Sequence, residues 1–138
     1  MPSAGDARHQ ARERALSLLY EADIKDVDPA AVLGALVAAP DPLAAELVSG
    51  VAAQRARIDE LVGDAAVGWE VDRMPAVDRA ILRLATYELL ARADTPVAVI
   101  IDEAVELAKE YSTDASPGFV NGVLTTVARA VRGERGGP

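Results

Sequence analysis

The sequence contains no cysteine and a single histidine in 138 residues. The first absence excludes disulfides, thiolate nucleophiles and cysteine-based metal sites, and the second excludes a cluster of histidine ligands. Aromatic residues are few: one Trp, one Phe and three Tyr. The core must therefore be assembled from Ala, Val, Leu and Ile. No stretch reaches the roughly 18 apolar residues of a membrane span. The N-terminus, MPSAGDARHQ, is polar and lacks the apolar segment of a secretory signal. The expected setting is the cytoplasm, with no membrane partner. A Gly-rich phosphate loop, a nucleophile elbow and paired histidines at ligand spacing are all missing. The expectation is a non-enzyme with no catalytic residue, cofactor or metal. Asp102, Glu103, Glu106 and Glu110 read as a solvated helix face, the first two favourable near the helix's positive end.

What is present describes a globular chain: 51% hydrophobic and 26% charged residues, in a length that suits one domain with a real core. The net charge of −8 argues against coating nucleic acid through bulk charge. The charge is unevenly spread, however. Arg8, Arg12 and Arg14 face only Asp6 and Glu13 in the first twenty residues, with His9 among them. Lysine is scarce, so twelve of the fourteen basic residues are arginine. Arginine suits planar and stacked contacts, although genomic base composition explains the bias equally well.

Prolines punctuate the chain. Asp28-Pro29, Asp41-Pro42, Thr95-Pro96 and Ser116-Pro117 each pair a capping residue with proline at a first helical position. Each precedes apolar residues at helical spacing. The spacing predicts helices near 7–25, 29–38, 42–66, 75–93, 96–111 and 116–132, with a short turn around Trp69. Val97–Ile101 has the composition of a strand, but Ile100, Ala104, Leu107, Ala108 and Tyr111 share one helical face. The fold class is all-α, with about six to seven helices in antiparallel groups. The irregular stretch 63–74 is expected to separate an N-terminal group (7–66) from a C-terminal group (67–132), followed by a frayed tail over 133–138. Helix 75–93 is apolar on most sides and is the expected centre, with only Arg79, Arg83 and Thr86 left to solvent. Glu88 falls in its apolar face and calls for an arginine or several donors.

In the first helix, Ala11, Ala15, Leu18, Leu19 and Ala22 form a core stripe. His9, Arg12, Leu16 and Tyr20 make a basic flank ending in an aromatic, the chemistry that contacts phosphate and stacks on an unpaired base. The alternative is that Leu16 and Tyr20 pack on a neighbouring helix while the arginines only solvate it.

The segments Ala11-Arg-Glu-Arg-Ala-Leu-Ser-Leu-Leu-Tyr20, Met74-Pro-Ala-Val-Asp-Arg-Ala-Ile-Leu-Arg83, Tyr87-Glu-Leu, Asp102-Glu-Ala-Val-Glu-Leu-Ala-Lys109 and Phe119-Val-Asn-Gly-Val-Leu124 together resemble the NusB transcription antitermination factors, in order and spacing. The resemblance covers Arg8 to Arg132. It implies two small antiparallel helical bundles packed side by side. It also implies binding of the single-stranded boxA element of ribosomal RNA transcripts together with NusE, a small-subunit ribosomal protein. The complex joins the RNA polymerase elongation complex with other Nus factors and suppresses premature termination. Carried onto this chain, RNA contacts fall on Arg8, His9, Arg12, Arg14, Tyr20, Phe119 and Asn121, and NusE contacts on Asp78, Arg79 and Arg83. Gln10 and Arg14 interrupt a denser basic run seen in relatives. Ala115, Pro117 and Gly118 replace polar residues usual before the Phe-Val-Asn-Gly motif.

Asn121-Gly122 is a hairpin signal, yet Phe119, Val120, Val123, Leu124, Val127 and Val131 lie on one helical face. A mid-helix glycine costs roughly 1 kcal/mol relative to alanine. The expectation is that Gly122 marks a close crossing with another helix or with RNA, with Asn121 satisfying backbone or reading a base edge. Two other readings stay open: an accessory RNA-binding domain for ribosomal RNA modification, and a homodimeric helical module that hides the arginines.

Overall fold

The computed structural model describes residues 3–136. Among the described residues there are seven α-helices, one 3-10 turn and no strand. The helices are α1 (Ala4–Lys25), α2 (Pro29–Gly34), α3 (Pro42–Ala53), α4 (Arg55–Ala65), α5 (Ala76–Ala91), α6 (Val97–Tyr111) and α7 (Ser116–Gly136), with the 3-10 turn at Val71–Arg73. The all-α expectation holds, and Val97–Ile101 is helical.

Local chemistry sets the ends. α1 starts earlier than its apolar stripe because Ser3 and Asp6 form a reciprocal capping box. It stops at Asp26, whose left-handed backbone (φ 55°) returns its N–H to the carbonyls of Ala22 and Asp23. Asp28 and Asp41 cap α2 and α3 as their Asp-Pro pairs predict, accepting from the N–H of Ala30 and Leu43 at 2.8 Å each. The other two pairs behave differently. Thr95 gives no cap to α6, and Ser116 turns its hydroxyl to the buried carboxylate of Asp78 at 3.0 Å.

The expected helix 42–66 is two helices. Gln54 (φ −112°, ψ 21°) breaks it. α3 packs against α1, α2 and α5, whereas α4 packs against α5 and α7. The break is therefore where the chain leaves the first group of helices, earlier than the irregular stretch 63–74. α7 kinks at Gly133 (φ 69°), the residue from which the tail is expected; Gly137 and Pro138 lie outside the described residues.

α5 is the central helix, touching α1, α3, α4, α6 and α7. Ile81, Leu82, Leu84, Ala85 and Leu89 are buried on it, each large side chain contributing about 1.5–3 kcal/mol by leaving water. The strip expected to be solvated is not: Thr86 is fully buried and Arg83 nearly so. Arg83 donates two hydrogen bonds to Asp59 of α4, at 2.8 and 3.0 Å. Arg79 pairs with Asp23 of α1 and donates to the carbonyls of Val71 and Met74 at 3.2 and 3.0 Å. Forked guanidinium groups make such polar positions compatible with an interior. At the other end of α5, Arg132 of α7 donates to the carbonyls of Glu88, Leu89, Arg92 and Thr95 at 2.7–3.2 Å. It places a cation on the negative end of that helix.

Candidate nucleic-acid interface

The basic flank of α1 divides into buried and exposed members. Arg12 is only 3% exposed. Its Nε and Nη2 donate to the two carboxylate oxygens of Glu88 at 2.8 and 2.9 Å. The arginine expected as the partner of Glu88 is therefore one assigned to RNA, and that assignment is corrected. A buried carboxylate on α5 must be neutralised, and Arg12, one turn beyond Arg8 on the facing side of α1, does so. His9 is also engaged. Its Nδ1 lies 2.9 Å from Glu103 on α6, and its Nε2 lies 3.2 Å from Glu110. The hydrogen bond to Glu103 raises its pKa above the ordinary value, outweighing partial burial. Arg8 and Arg14 are exposed and make no ion pair among the described residues. They are the free cations of this helix.

Leu16 is buried, so the packing alternative for the flank holds there, but Tyr20 is 40% exposed. Tyr20 lines a groove of about 400 Å³ with Leu16, Ser17, Val77 and Tyr111. Glu13 also lines it and accepts the phenol hydrogen of Tyr111. That contact pushes the Tyr111 pKa up to about 12 and holds Glu13 below the ordinary carboxylate range. The groove thus combines aromatic and apolar side chains with one carboxylate.

Phe119 is half-buried at the start of α7, its ring against that of Trp69 with centroids 5.8 Å apart and planes at 59°. Trp69 itself is 50% exposed. It follows Gly68, whose φ of +85° turns the chain so that the indole is presented outward. Asn121 is exposed, and its carbonyl accepts from Thr125 Oγ1 at 2.8 Å. No other chain segment crosses at Gly122: a Cβ there would meet nothing within 4 Å. The close-crossing expectation for Gly122 is overturned in the protein, because the face bearing Gly118, Asn121, Gly122 and Thr126 is turned to solvent. The close approach is at Gly50 instead, where an added Cβ would lie 2.1 Å from Cε1 of Tyr87.

The residues expected to meet NusE all have partners within the chain. Asp78 is buried and accepts hydrogen bonds from Ser112 and Ser116, fastening the α6–α7 connection to the first turn of α5. Arg79 and Arg83 tie α5 to α1 and α4, as described above. Each of the three is already engaged within the chain: Asp78 with Ser112 and Ser116, Arg79 with the partly exposed Asp23, and Arg83 with the partly exposed Asp59. The Asp78 junction does organise the surface around it. Val77, its neighbour, lines the Tyr20 groove, and Phe119 lies one turn beyond Ser116.

Sequence reasoning passed over Trp69 and Tyr111 as surface groups. Trp69 was legible as the sole indole, set between Gly68 and Glu70 in a stretch without helical period. Tyr111 was assigned to the core face of its helix. It is the last residue of α6, where that face runs past the edge of the core.

The sequence profile of the NusB family matches residues 9–129. A protein of Saccharopolyspora erythraea named transcription antitermination protein NusB is 55% identical over 128 residues, 88% of this chain and 86% of its own length. Among solved structures, T. maritima NusB superposes with a TM-score of 0.81 at 33% identity, over 94% of this chain and 93% of its own. A crystal structure of antitermination factors NusB and NusE in complex with dsRNA superposes with a TM-score of 0.75 at 26% identity, over 89% and 96% of the two chains.

Proposed function

The chain belongs to the NusB family, and on that premise we propose that it is a transcription antitermination factor. It binds boxA-type single-stranded RNA of ribosomal RNA transcripts jointly with NusE and joins the RNA polymerase elongation complex. The observation that carries this reading is the match in both sequence and fold over nearly the whole chain, to proteins named for antitermination and to a NusB seen with NusE and RNA.

The geometry refines the RNA contacts. Arg8 and Arg14 supply phosphate contacts from the exposed flank of α1. Tyr20, Phe119 and Trp69 supply ring faces for unpaired bases, and Asn121 an amide for a base edge. Arg12 and His9 act by positioning α1 rather than by touching RNA. Asp78, Arg79 and Arg83 serve NusE binding by setting α5 and the α6–α7 turn, not through their own charges. Two free arginines give a shallow salt dependence, with a slope of about −1.4 in log K against log salt for a single strand. The remaining affinity comes from stacking and from NusE.

The test is a calorimetric titration of a ribosomal-leader RNA fragment containing boxA, with and without NusE, at two salt concentrations. Arg8→Ala should weaken binding and reduce the slope by about 0.7. Tyr20→Ala and Trp69→Ala should each cost about 1–3 kcal/mol of binding, or roughly 5- to 150-fold, with the slope unchanged. Absence of RNA binding both alone and with NusE would overturn the function. Wild-type affinity in all three variants would overturn the site.

A further inference from the structure

His9, Glu13 and Glu110 form a cluster beside the Tyr20 groove, and the Glu13 oxygen facing His9 also accepts the Tyr111 phenol hydrogen. His9 Nε2 lies 3.2 Å from Glu110 Oε1 and 3.8 Å from Glu13 Oε2, and the ligand atoms of the three residues all fall within 4.8 Å of one another. Three ligands held about 2.1 Å from a tetrahedral ion stand about 3.4 Å apart, so little movement separates this arrangement from a coordinated one. His9 and Glu13 are one turn apart on α1, so both side chains project from one face. Glu110 comes from the end of α6.

The ring of His9 is already oriented as in a metal ligand. Its Nδ1 hydrogen bonds to Glu103 at 2.9 Å, and Arg12, itself locked on Glu88, lies 3.4 Å from the same Glu103 oxygen. A histidine whose second nitrogen donates to a carboxylate presents the other as a fixed, more basic ligand. The charge balance points the same way. Glu13, Glu103 and Glu110 bring three negative charges, while the charge of Arg12 is matched by Glu88. No lysine and no other arginine pairs with those three carboxylates among the described residues. Even a protonated His9 leaves the cluster negative.

We propose that His9, Glu13 and Glu110 bind one divalent transition-metal ion of the Zn2+ class, joining the N-terminal half of α1 to the end of α6. One imidazole and two carboxylates suit this class better than Mg2+ or Ca2+, which take all-oxygen sites. The partial exposure of all three residues leaves further positions for water.

The probe is ZnCl2, added to the untagged full chain after chelator treatment and dialysis, with MgCl2 in parallel. Because the chain has one histidine, its two imidazole proton signals report the site without ambiguity. The expected result is saturable binding of one Zn2+ per chain by calorimetry, with both signals shifting in step, while MgCl2 leaves them in place. His9→Gln and Glu110→Gln should each weaken Zn2+ binding by more than about tenfold. Glu103→Gln, which meets the ring at its far nitrogen and lies outside the three ligands, should weaken it about 10- to 100-fold. Absence of saturable binding overturns the proposal, as does binding that Glu110→Gln leaves at wild-type affinity without movement of the imidazole signals. If His9→Gln does not fold, Glu110→Gln, on the half-exposed end of α6, decides the matter alone.

Discussion

Alanine at two glycines should change stability in opposite directions. Both Gly50 and Gly122 are helical, and by propensity alone alanine stabilises a helix by up to about 1 kcal/mol. At Gly122 nothing stands within 4 Å of the new Cβ, so Gly122→Ala should gain most of that amount. At Gly50 the Cβ would meet Cε1, Cζ and Cδ1 of Tyr87 at 2.1, 2.2 and 2.7 Å. Tyr87 cannot swing aside freely: it is buried, and its hydroxyl donates to Glu46 at 3.2 Å. Forcing the ring out costs about 1–3 kcal/mol of overpacking and about 1 kcal/mol of hydrogen bonding. Against a gain of about 1 kcal/mol in propensity, Gly50→Ala should lose about 1–3 kcal/mol. Urea melts followed by circular dichroism at constant slope would measure both changes. In heat they correspond to about 4 °C per kcal/mol for a domain of this size. A Gly50→Ala protein as stable as wild type, or more so, would refute the argument that α3 and α5 are held at glycine distance.

Arg12→Ala leaves Glu88 buried without its counter-charge and should cost about 3–5 kcal/mol in a urea melt. The paired replacement Arg12→Met with Glu88→Leu should recover most of that loss, and a loss below 1 kcal/mol in the single variant would show that the pair is not desolvated. Arg132→Ala removes the donors that serve four carbonyls in the last turn of α5 and the connection after it, and should cost about 1.5–3 kcal/mol. Amide hydrogen exchange should then quicken in the last turn of α5 before it does in α1, and uniform exchange would contradict a local cap.

The helical period made the elements legible, and Asp28-Pro29 and Asp41-Pro42 marked their starts correctly. The break at Gln54 was hidden because Val51, Ile58 and Leu61 continue one apolar stripe across it. Only the change of packing partners, from α1 and α2 to α7, reveals two helices. For the site, spacing on α1 grouped Arg8, Arg12 and Arg14 as one basic surface. The positions differ by which of them faces Glu88, and that depends on how α1 is rotated against α5. Similarly, Asp78, Arg79 and Arg83 look like surface charges in the sequence, because their counter-groups lie 24 to 60 residues away. Long-range pairing of this kind leaves no local signal. Trp69 stands out as the sole indole, but its segment has no period that would say which way the ring turns.

The position of Trp69 governs how this protein emits light. Its only indole sits on a surface turn, half in water, while the core contains a single tyrosine ring. The folded state's emission is therefore already that of an indole in contact with water, and heating should redden it less than it would a buried one. A melt read by tryptophan emission would follow the turn beside Phe119 and understate the collapse of the helices. The same exposure makes quenching of that emission a native, label-free signal for anything that settles on the ring.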